Sequence, residues 1–151
     1  MNLSSQQTID RPCEDVYAIV TDFDAFEGLL RDMGVRVSRL DGPEPPQLGA
    51  RWKAEFSWQR RSFDARAELV MIEPNTCYAV ESKTEGIECM AVVDVEAIST
   101  NQTRLFVSFD LSATTLKSKI FLQTLKVTAG SINRRLDKRL EGLARRIEKQ
   151  A

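Results

Sequence analysis

The last third of the chain carries one long apolar stripe of helical period. Between about Thr115 and Lys149, apolar residues recur at spacings of three and four, at Leu125, Ala129, Ile132, Leu136, Leu140, Leu143 and Ile147. Such spacing places them on one face of an α-helix. A stripe of that length needs a matching apolar surface, and the β-rich middle of the chain is the candidate. The sequence therefore predicts an antiparallel sheet packed on a C-terminal helix, with a cavity between them.

The middle of the chain alternates with period two, which is typical of strands with one buried face. The inward positions are Trp52, Ala54, Phe56 and Trp58, followed after a turn at Gln59-Arg60-Arg61-Ser62 by Phe63, Ala65, Ala67, Leu69 and Met71. Further strands are predicted at about 77–83, 87–98 and 103–111. Because no helix separates these strands, they predict an antiparallel meander.

Two short helices are predicted between the first strand, Asn2 to Ile9, and this meander. Pro12 suits the first turn of one helix, because its missing N–H is not needed there. Asp22 can cap the second helix, which runs to Leu30 and is expected to close one end of the sheet.

Composition predicts one domain over residues 1–151. A chain of 151 residues with 42% hydrophobic content can bury a single core. The N-terminal segment has neither a basic region nor an apolar run, so no secretory signal is expected. The three cysteines have no metal-type spacing, and we expect reduced thiols in a cytoplasmic protein.

Short motifs mark the boundaries between these elements along the whole chain. They are Ile9-Asp10-Arg11-Pro12-Cys13-Glu14-Asp15-Val16-Tyr17, Thr21-Asp22-Phe23-Asp24, Gly49 before a strand, Glu73-Pro74-Asn75, Thr103-Arg104-Leu105 and the terminal helix. In their order they resemble the START-like (SRPBCC) superfamily, and in particular its polyketide cyclase/dehydrase-like branch. The resemblance implies an α+β helix-grip fold, in which a curved antiparallel sheet wraps a long C-terminal helix around a hydrophobic cavity.

The absence of histidine removes several mechanisms. There is no Ser-His-Asp or Cys-His pair and no histidine-ligated zinc, so we expect no metal and no cofactor. Any catalysis would rest on carboxylates, Tyr, Lys, Arg or water. If Cys77 and Ala79 point inward, Glu81 does too, and burial would suit it to acid/base work. A merely structural Glu81 is the favoured alternative.

The predicted ligand site lies between the sheet and the final helix. Large aromatic residues beside small alanines on one strand face can shape a pocket, although the same pattern also describes an ordinary packed core. The residues expected at the site are Trp52, Ala54, Phe56, Trp58, Phe63, Ala65, Ala67, Phe26, Leu29, Leu125 and Ala129. The predicted partner is a small hydrophobic or aromatic molecule such as a lipid, a polyketide or an isoprenoid-like compound.

Three functions stay open from the sequence. The first is a binding module for that molecule, the second is a cyclase/dehydrase-type enzyme using the same cavity, and the third is a lipid or quinone carrier that docks through its basic C-terminal helix. Residues 115–151 carry ten Lys or Arg against three Asp or Glu, on a chain of net charge −1. We expect a solvated outer face there rather than membrane contact, and no nucleic-acid binding.

Overall fold

The computed structural model describes residues 1–58 and 60–150. Gln59 in the predicted turn and Ala151 at the end of the predicted domain lie outside the described residues. Within the two described ranges the chain forms seven strands and four helices, which are β1 (Asn2–Ile9), α1 (Cys13–Val20), α2 (Phe23–Asp32), β2 (Arg36–Arg39), β3 (Arg51–Trp58), β4 (Arg61–Glu73), β5 (Cys77–Thr84), β6 (Ile87–Ser99), β7 (Gln102–Ala113), α3 (Leu116–Val127) and α4 (Ala129–Lys149).

The seven strands form one antiparallel sheet in the order β1-β7-β6-β5-β4-β3-β2. Strands β2 to β7 follow the chain as a meander, and β1 returns to pair with β7. The four helices pack on one face of this sheet, which we call the inner face. The predicted fold class is confirmed: the curved sheet, the two short helices after the first strand and the long C-terminal helix are all present.

The core lies where α1 and α4 meet the inner face. Its fully buried large side chains come from β1, α1, β4, β7 and α4, at Ile9, Val16, Val20, Leu69, Leu105 and Ile147. Burying a side chain of this size contributes about 1.5–3 kcal/mol. Two tyrosines tie α1 to β5, because the Tyr17 hydroxyl donates to the Cys77 carbonyl at 3.2 Å and the Tyr78 hydroxyl donates to the Val20 carbonyl at 2.8 Å.

The predicted single helix from Thr115 to Lys149 is two helices, with a break at Thr128. The Thr128 backbone N–H donates three residues back, to the Leu125 carbonyl at 2.9 Å, and its hydroxyl donates to the same carbonyl at 3.0 Å. Thr128 is β-branched and Gly130 lies two residues further on, and both residue types favour helix poorly, so the chain turns and restarts at Ala129.

The inward alternation of β4 changes after Leu69. A β-bulge between Leu69 and Met71 inserts one extra residue, which moves every later side chain to the opposite face. Met71 was predicted to point inward but is 37% exposed, and Ile72 packs against the core instead.

None of the four helices in the described ranges combines the length and the apolar character needed to cross a membrane.

Candidate ligand cavity

An apolar cavity of about 550 Å³ lies between two layers, the helices α2 and α4 on one side and the middle of the sheet on the other. Its wall combines the end of α1, the inner side of α2, three central strands and one face of α4. The lining residues are Val20, Phe23, Phe26, Leu29, Leu30, Met33, Tyr78, Val80, Ala91, Val93, Leu105, Val107, Phe109, Leu136, Arg139, Leu140, Gly142, Leu143 and Arg146.

Helix α2 covers the cavity incompletely. Asp22 caps it, because its carboxylate accepts from the Ala25 backbone N–H at 3.2 Å. The apolar residues that follow recur at helical spacing, so α2 turns one face to the cavity, yet none of its residues is buried. Leu29, Leu30 and Met33 are 36%, 37% and 47% exposed. Solvent therefore reaches the cavity beside the C-terminal half of α2.

The central strands supply the floor of the cavity. Tyr78 and Val80 of β5 lie opposite Val93 and Ala91 of β6, and these in turn lie opposite residues of β7 that also line the cavity. Phe23 meets the Tyr78 ring edge-on, with 5.1 Å between the ring centroids. Burial raises the pKa of Tyr78 well above its ordinary value. Its hydroxyl therefore stays neutral and committed to the Val20 carbonyl.

Helix α4 places two cations at the mouth. Arg139 and Arg146 are seven residues apart, about two turns, so they lie on the same side of the helix. Both are exposed, and neither forms an ion pair with a carboxylate in the described part of the chain. An Arg139 guanidinium N–H contacts the Met33 sulfur at 3.4 Å, across the gap between α4 and α2. The mouth is thus apolar on the α2 side and positively charged on the α4 side.

The predicted site residues fall into separate places. Phe26 and Leu29 lie in the cavity wall. Trp52 is 7% exposed in the neighbouring core, where its ring centroid lies 5.8 Å from that of Phe23 and its indole N–H donates to a Glu27 carboxylate oxygen at 2.7 Å. Ala67 lies opposite Trp52 in the strand register. Trp52 and Ala67 are therefore beside the cavity rather than in its wall.

An aromatic cluster lies on the inner face beneath α3, away from the cavity. Phe56 stacks on Phe63 with 5.2 Å between centroids, and Phe121 of α3 packs against both Phe63 and Trp58 at 5.8 and 5.9 Å. Leu125 is buried on the face of α3 that packs against the protein. The remaining predicted positions are Ala54 and Ala65, which pair across β3 and β4, and Ala129, which is half-buried at the start of α4.

Glu81 lies on the outer face of the sheet. Because Tyr78 and Val80 line the cavity, the strand alternation turns Glu81 away from it. The inward phase assumed for β5 in the Glu81 hypothesis is therefore wrong, and the structural alternative for Glu81 agrees with this position. The Glu81 carboxylate pairs with the Lys83 ammonium at 3.2 Å and borders a separate groove with Arg66 and Glu68.

The sequence analysis missed most of the wall. Ala91 and Val93 of β6, Val107 and Phe109 of β7, and the two arginines of α4 were not predicted as site residues. The alternation within each strand contained the signal for its inward face. Which of these inward residues line the cavity depends on where α2 lies over the sheet. The position of α2 is set by tertiary packing and cannot be read from the period of a single strand.

The chemistry of the wall is limited to a few polar groups. Among the described lining residues, the ionisable side chains are Tyr78, Arg139 and Arg146. Throughout residues 1–58 and 60–150, no group of three His, Cys, Asp or Glu stands close enough to hold a metal ion. The wall therefore offers a ligand apolar contacts and two guanidinium groups, together with the Tyr78 hydroxyl, which already donates a hydrogen bond to the Val20 carbonyl.

The whole chain matches a known family. Residues 1–148 match the family described as "Polyketide cyclase / dehydrase and lipid transport". The chain belongs to this family. Its membership confirms the START-like resemblance read from the sequence motifs, including the polyketide cyclase/dehydrase-like branch. By sequence, no protein of curated function matches the chain.

Solved structures with the same fold are distant in sequence from this family member. TTHA0849 from Thermus thermophilus is 13% identical, with a TM-score of 0.66 and coverage of 97% of both chains. Zhui aromatase/cyclase from a Streptomyces species is 12% identical, with a TM-score of 0.56 over 76% of this chain and 69% of that one. Norcoclaurine synthase from Thalictrum flavum is 10% identical, with a TM-score of 0.60 over 88% and 83%. At these identities the likeness shows the fold alone.

Proposed function

We propose that this chain binds a small apolar molecule, of lipid, polyketide or isoprenoid type, in the cavity between α2, α4 and strands β5 to β7. The observation that carries the proposal is the cavity itself, with its volume of about 550 Å³ and its wall of aliphatic and aromatic side chains. Cavities of about 300–1,000 Å³ accommodate drug-sized ligands. Burial of the ligand's apolar surface supplies the affinity, at about 25 cal/mol per Å².

Proteins of the same fold support a ligand of this size. The norcoclaurine synthase structure contains dopamine and hydroxybenzaldehyde, both small aromatic molecules. The family description names lipid transport besides cyclase and dehydrase activity. We infer that the cavity of this chain serves the same general purpose of binding a small molecule.

The mouth favours a ligand with an anionic end. Arg139 and Arg146 stand at the open side of an otherwise apolar wall. A carboxylate or phosphate there would gain charge-assisted hydrogen bonds without leaving solvent, while the apolar body enters the cavity. We therefore propose an amphiphilic anion, such as a fatty or aromatic acid, as the ligand class.

Tryptophan emission tests where the ligand enters. Trp52 packs on Phe23 of the cavity wall, whereas Trp58 packs on Phe121 of α3. Titrating dodecanoate into the Trp58→Phe variant, which keeps only Trp52, is expected to give a saturable change in emission. The matched Trp52→Phe variant, which keeps only Trp58, is expected to give a much smaller change. The reverse result would place the ligand in the aromatic cluster beneath α3.

The arginine pair tests the anionic end of the ligand. In the Arg139→Gln/Arg146→Gln double variant, the affinity for dodecanoate is expected to fall about fivefold, because each exposed ion pair contributes up to about 1 kcal/mol. The affinity for the uncharged methyl ester is expected to stay unchanged. Arg134→Gln/Arg135→Gln on the same helix is the charge-matched control and should leave both affinities unchanged. If the affinities for the acid and the ester fell equally, the arginines would not recognise a negative charge, and the proposal of an anionic ligand would be wrong.

A cyclase/dehydrase-type enzyme is the second candidate. The family description and the aromatase/cyclase neighbour favour it. In this chain the described wall offers Tyr78, Arg139 and Arg146 as polar groups, so the cavity would act mainly by folding a flexible substrate and orienting it. Conversion of a bound polyketide chain by the purified protein, detected by mass, would decide for this candidate over pure binding.

We further propose a cytoplasmic location. Cys13, Cys77 and Cys89 are free thiols in the structure, which is the usual state in a reducing compartment.

A further inference from the structure

Helix α3 presents an apolar stripe to solvent. Leu116, Ile120 and Val127 are 76%, 62% and 86% exposed, which places them among the most exposed large hydrophobic residues described. At 100° per residue they fall within about 40° of one line along the helix. We call these three residues the α3 stripe. Leu116 and Ile120 are about one turn apart, and Val127 follows about two turns later, with the exposed Gln123 between them on the same side. Scattered exposed hydrophobic residues are ordinary, but three aligned on one helix face form an apolar surface.

The opposite side of α3 is fixed to the protein, so the stripe is held in a defined direction. Ser118, Leu122 and Leu125 are buried on that side. The Thr115 hydroxyl accepts from the Ser118 backbone N–H at 3.1 Å, and the Ser118 hydroxyl donates to the Gly86 carbonyl at 2.9 Å. The helix therefore packs through one face and leaves the other uncovered.

Lysines flank the stripe on both sides. Lys117 lies on one side and Lys119 and Lys126 lie on the other, and all three are exposed. In the described part of the chain none of them forms an ion pair with a carboxylate. The sequence contains no Asp or Glu between Asp110 and Asp137. The surface is thus a mainly apolar line, interrupted by Gln123 and bordered by uncompensated positive charge.

We propose that α3 docks on the surface of an anionic phospholipid bilayer. This reverses the expectation of a solvated face drawn from the sequence, because the sequence alone did not show that Leu116, Ile120 and Val127 stay uncovered. The helix lies in the plane of the membrane, with the α3 stripe among the acyl chains near the headgroups and the three lysines against lipid phosphates. Charge selects this occupant, because a second copy of the same face would bring like charges together. The inference goes beyond ligand binding in the cavity and does not depend on it.

Vesicle co-sedimentation of the full chain tests the proposal. We expect binding to vesicles of equimolar phosphatidylcholine and phosphatidylglycerol, a loss of binding at high salt, and no binding to phosphatidylcholine alone. The Leu116→Ser/Ile120→Ser/Val127→Ser variant is expected to bind about tenfold more weakly, because it loses the apolar contact. These residues are exposed, so the fold should be retained, which circular dichroism checks.

Two matched controls separate α3 from general charge and exposure. Lys117→Gln/Lys119→Gln/Lys126→Gln is expected to weaken binding by about a hundredfold, since each lysine near the surface contributes about fivefold. Arg134→Gln/Arg135→Gln/Lys138→Gln removes the same charge from α4 and should have a much smaller effect. Leu48→Ser, at another residue that is 63% exposed, should have none.

Three results would overturn the proposal. One is the absence of binding to the anionic vesicles. Another is an equal loss of binding in the α3 and α4 charge variants, which would indicate diffuse electrostatic attraction. The third is a dimer in vesicle-free solution that the serine variant converts to a monomer, which would make a second copy the occupant of the α3 stripe.

Discussion

Replacing Ile147 with alanine is expected to lower the free energy of unfolding by about 2–5 kcal/mol. Ile147 is fully buried near the end of α4, in the same core cluster as Ile9, Val16 and Leu105. Truncation would remove apolar contacts and leave a cavity that the strands around it cannot fill. For a chain of this size, the melting temperature should fall by roughly 4–20 °C in a thermal unfolding experiment.

The matched control is Leu116→Ala, at a residue of α3 that is 76% exposed. Both variants shorten an aliphatic side chain on a C-terminal helix, but the Leu116 variant creates no cavity and is expected to change the free energy of unfolding by less than about 0.5 kcal/mol. Similar melting temperatures for the two variants would mean that the end of α4 is not part of the cooperative core.

The sequence predicted the helices and strands of the fold because apolar residues recur at different spacings in the two kinds of element. In β3, Trp52 alternates with exposed Arg51 and half-buried Lys53, and in α4 the stripe through Leu140 recurs at helical spacing. Both patterns arise from burial of one face, so they can be read from a single chain. The two departures were local. The bulge after Leu69 and the break at Thr128 each depend on the position of one residue, which a period does not specify.

The phase of β5 could not be read because the strand is buried on both faces at its start. Cys77, Tyr78 and Ala79 are all buried, so consecutive residues give no alternation from which to choose the inward side. The acid/base hypothesis for Glu81 assumed that Cys77 and Ala79 point inward, and Glu81 with them. In the structure the tyrosine points inward, and its hydrogen bond to the Val20 carbonyl fixes that phase.

The candidate site was predicted in part because the sequence shows what faces inward but not what remains uncovered. Trp58 and Phe63 are inward residues, as predicted, but Phe121 of α3 packs against them. Ala91 and Val93 are less conspicuous in the sequence, yet within the described residues no helix places a side chain in the space above them. The arrangement of α2 and α3 over the sheet decides this difference.

Replacing Ala91 with phenylalanine is expected to weaken dodecanoate binding by about tenfold to a hundredfold. Ala91 lies between Val80 and Phe109 in the strand register, and all three line the cavity. A benzyl group at this position would occupy the space that the ligand needs. Since no side chain of the described residues fills that space, the free energy of unfolding should change by less than about 1 kcal/mol, below the usual cost of overpacking a filled core. Isothermal titration calorimetry and thermal unfolding measure the two effects.

Ala67→Phe is the matched control, and it separates the observed cavity from the site predicted by the sequence. Ala67 is also an inward alanine of the central sheet, but its register partners are Trp52 and Ser82, in the packed region beside the cavity. The same substitution there is expected to cost about 1–3 kcal/mol of stability and to leave dodecanoate binding within about twofold of the wild type. Ala91→Phe is thus expected to lower the ligand affinity but not the stability, and Ala67→Phe to lower the stability but not the ligand affinity. If Ala67→Phe abolished binding while Ala91→Phe left it intact, the ligand would lie beside Trp52 and the aromatic cluster, and the cavity under α2 would lose its assigned role.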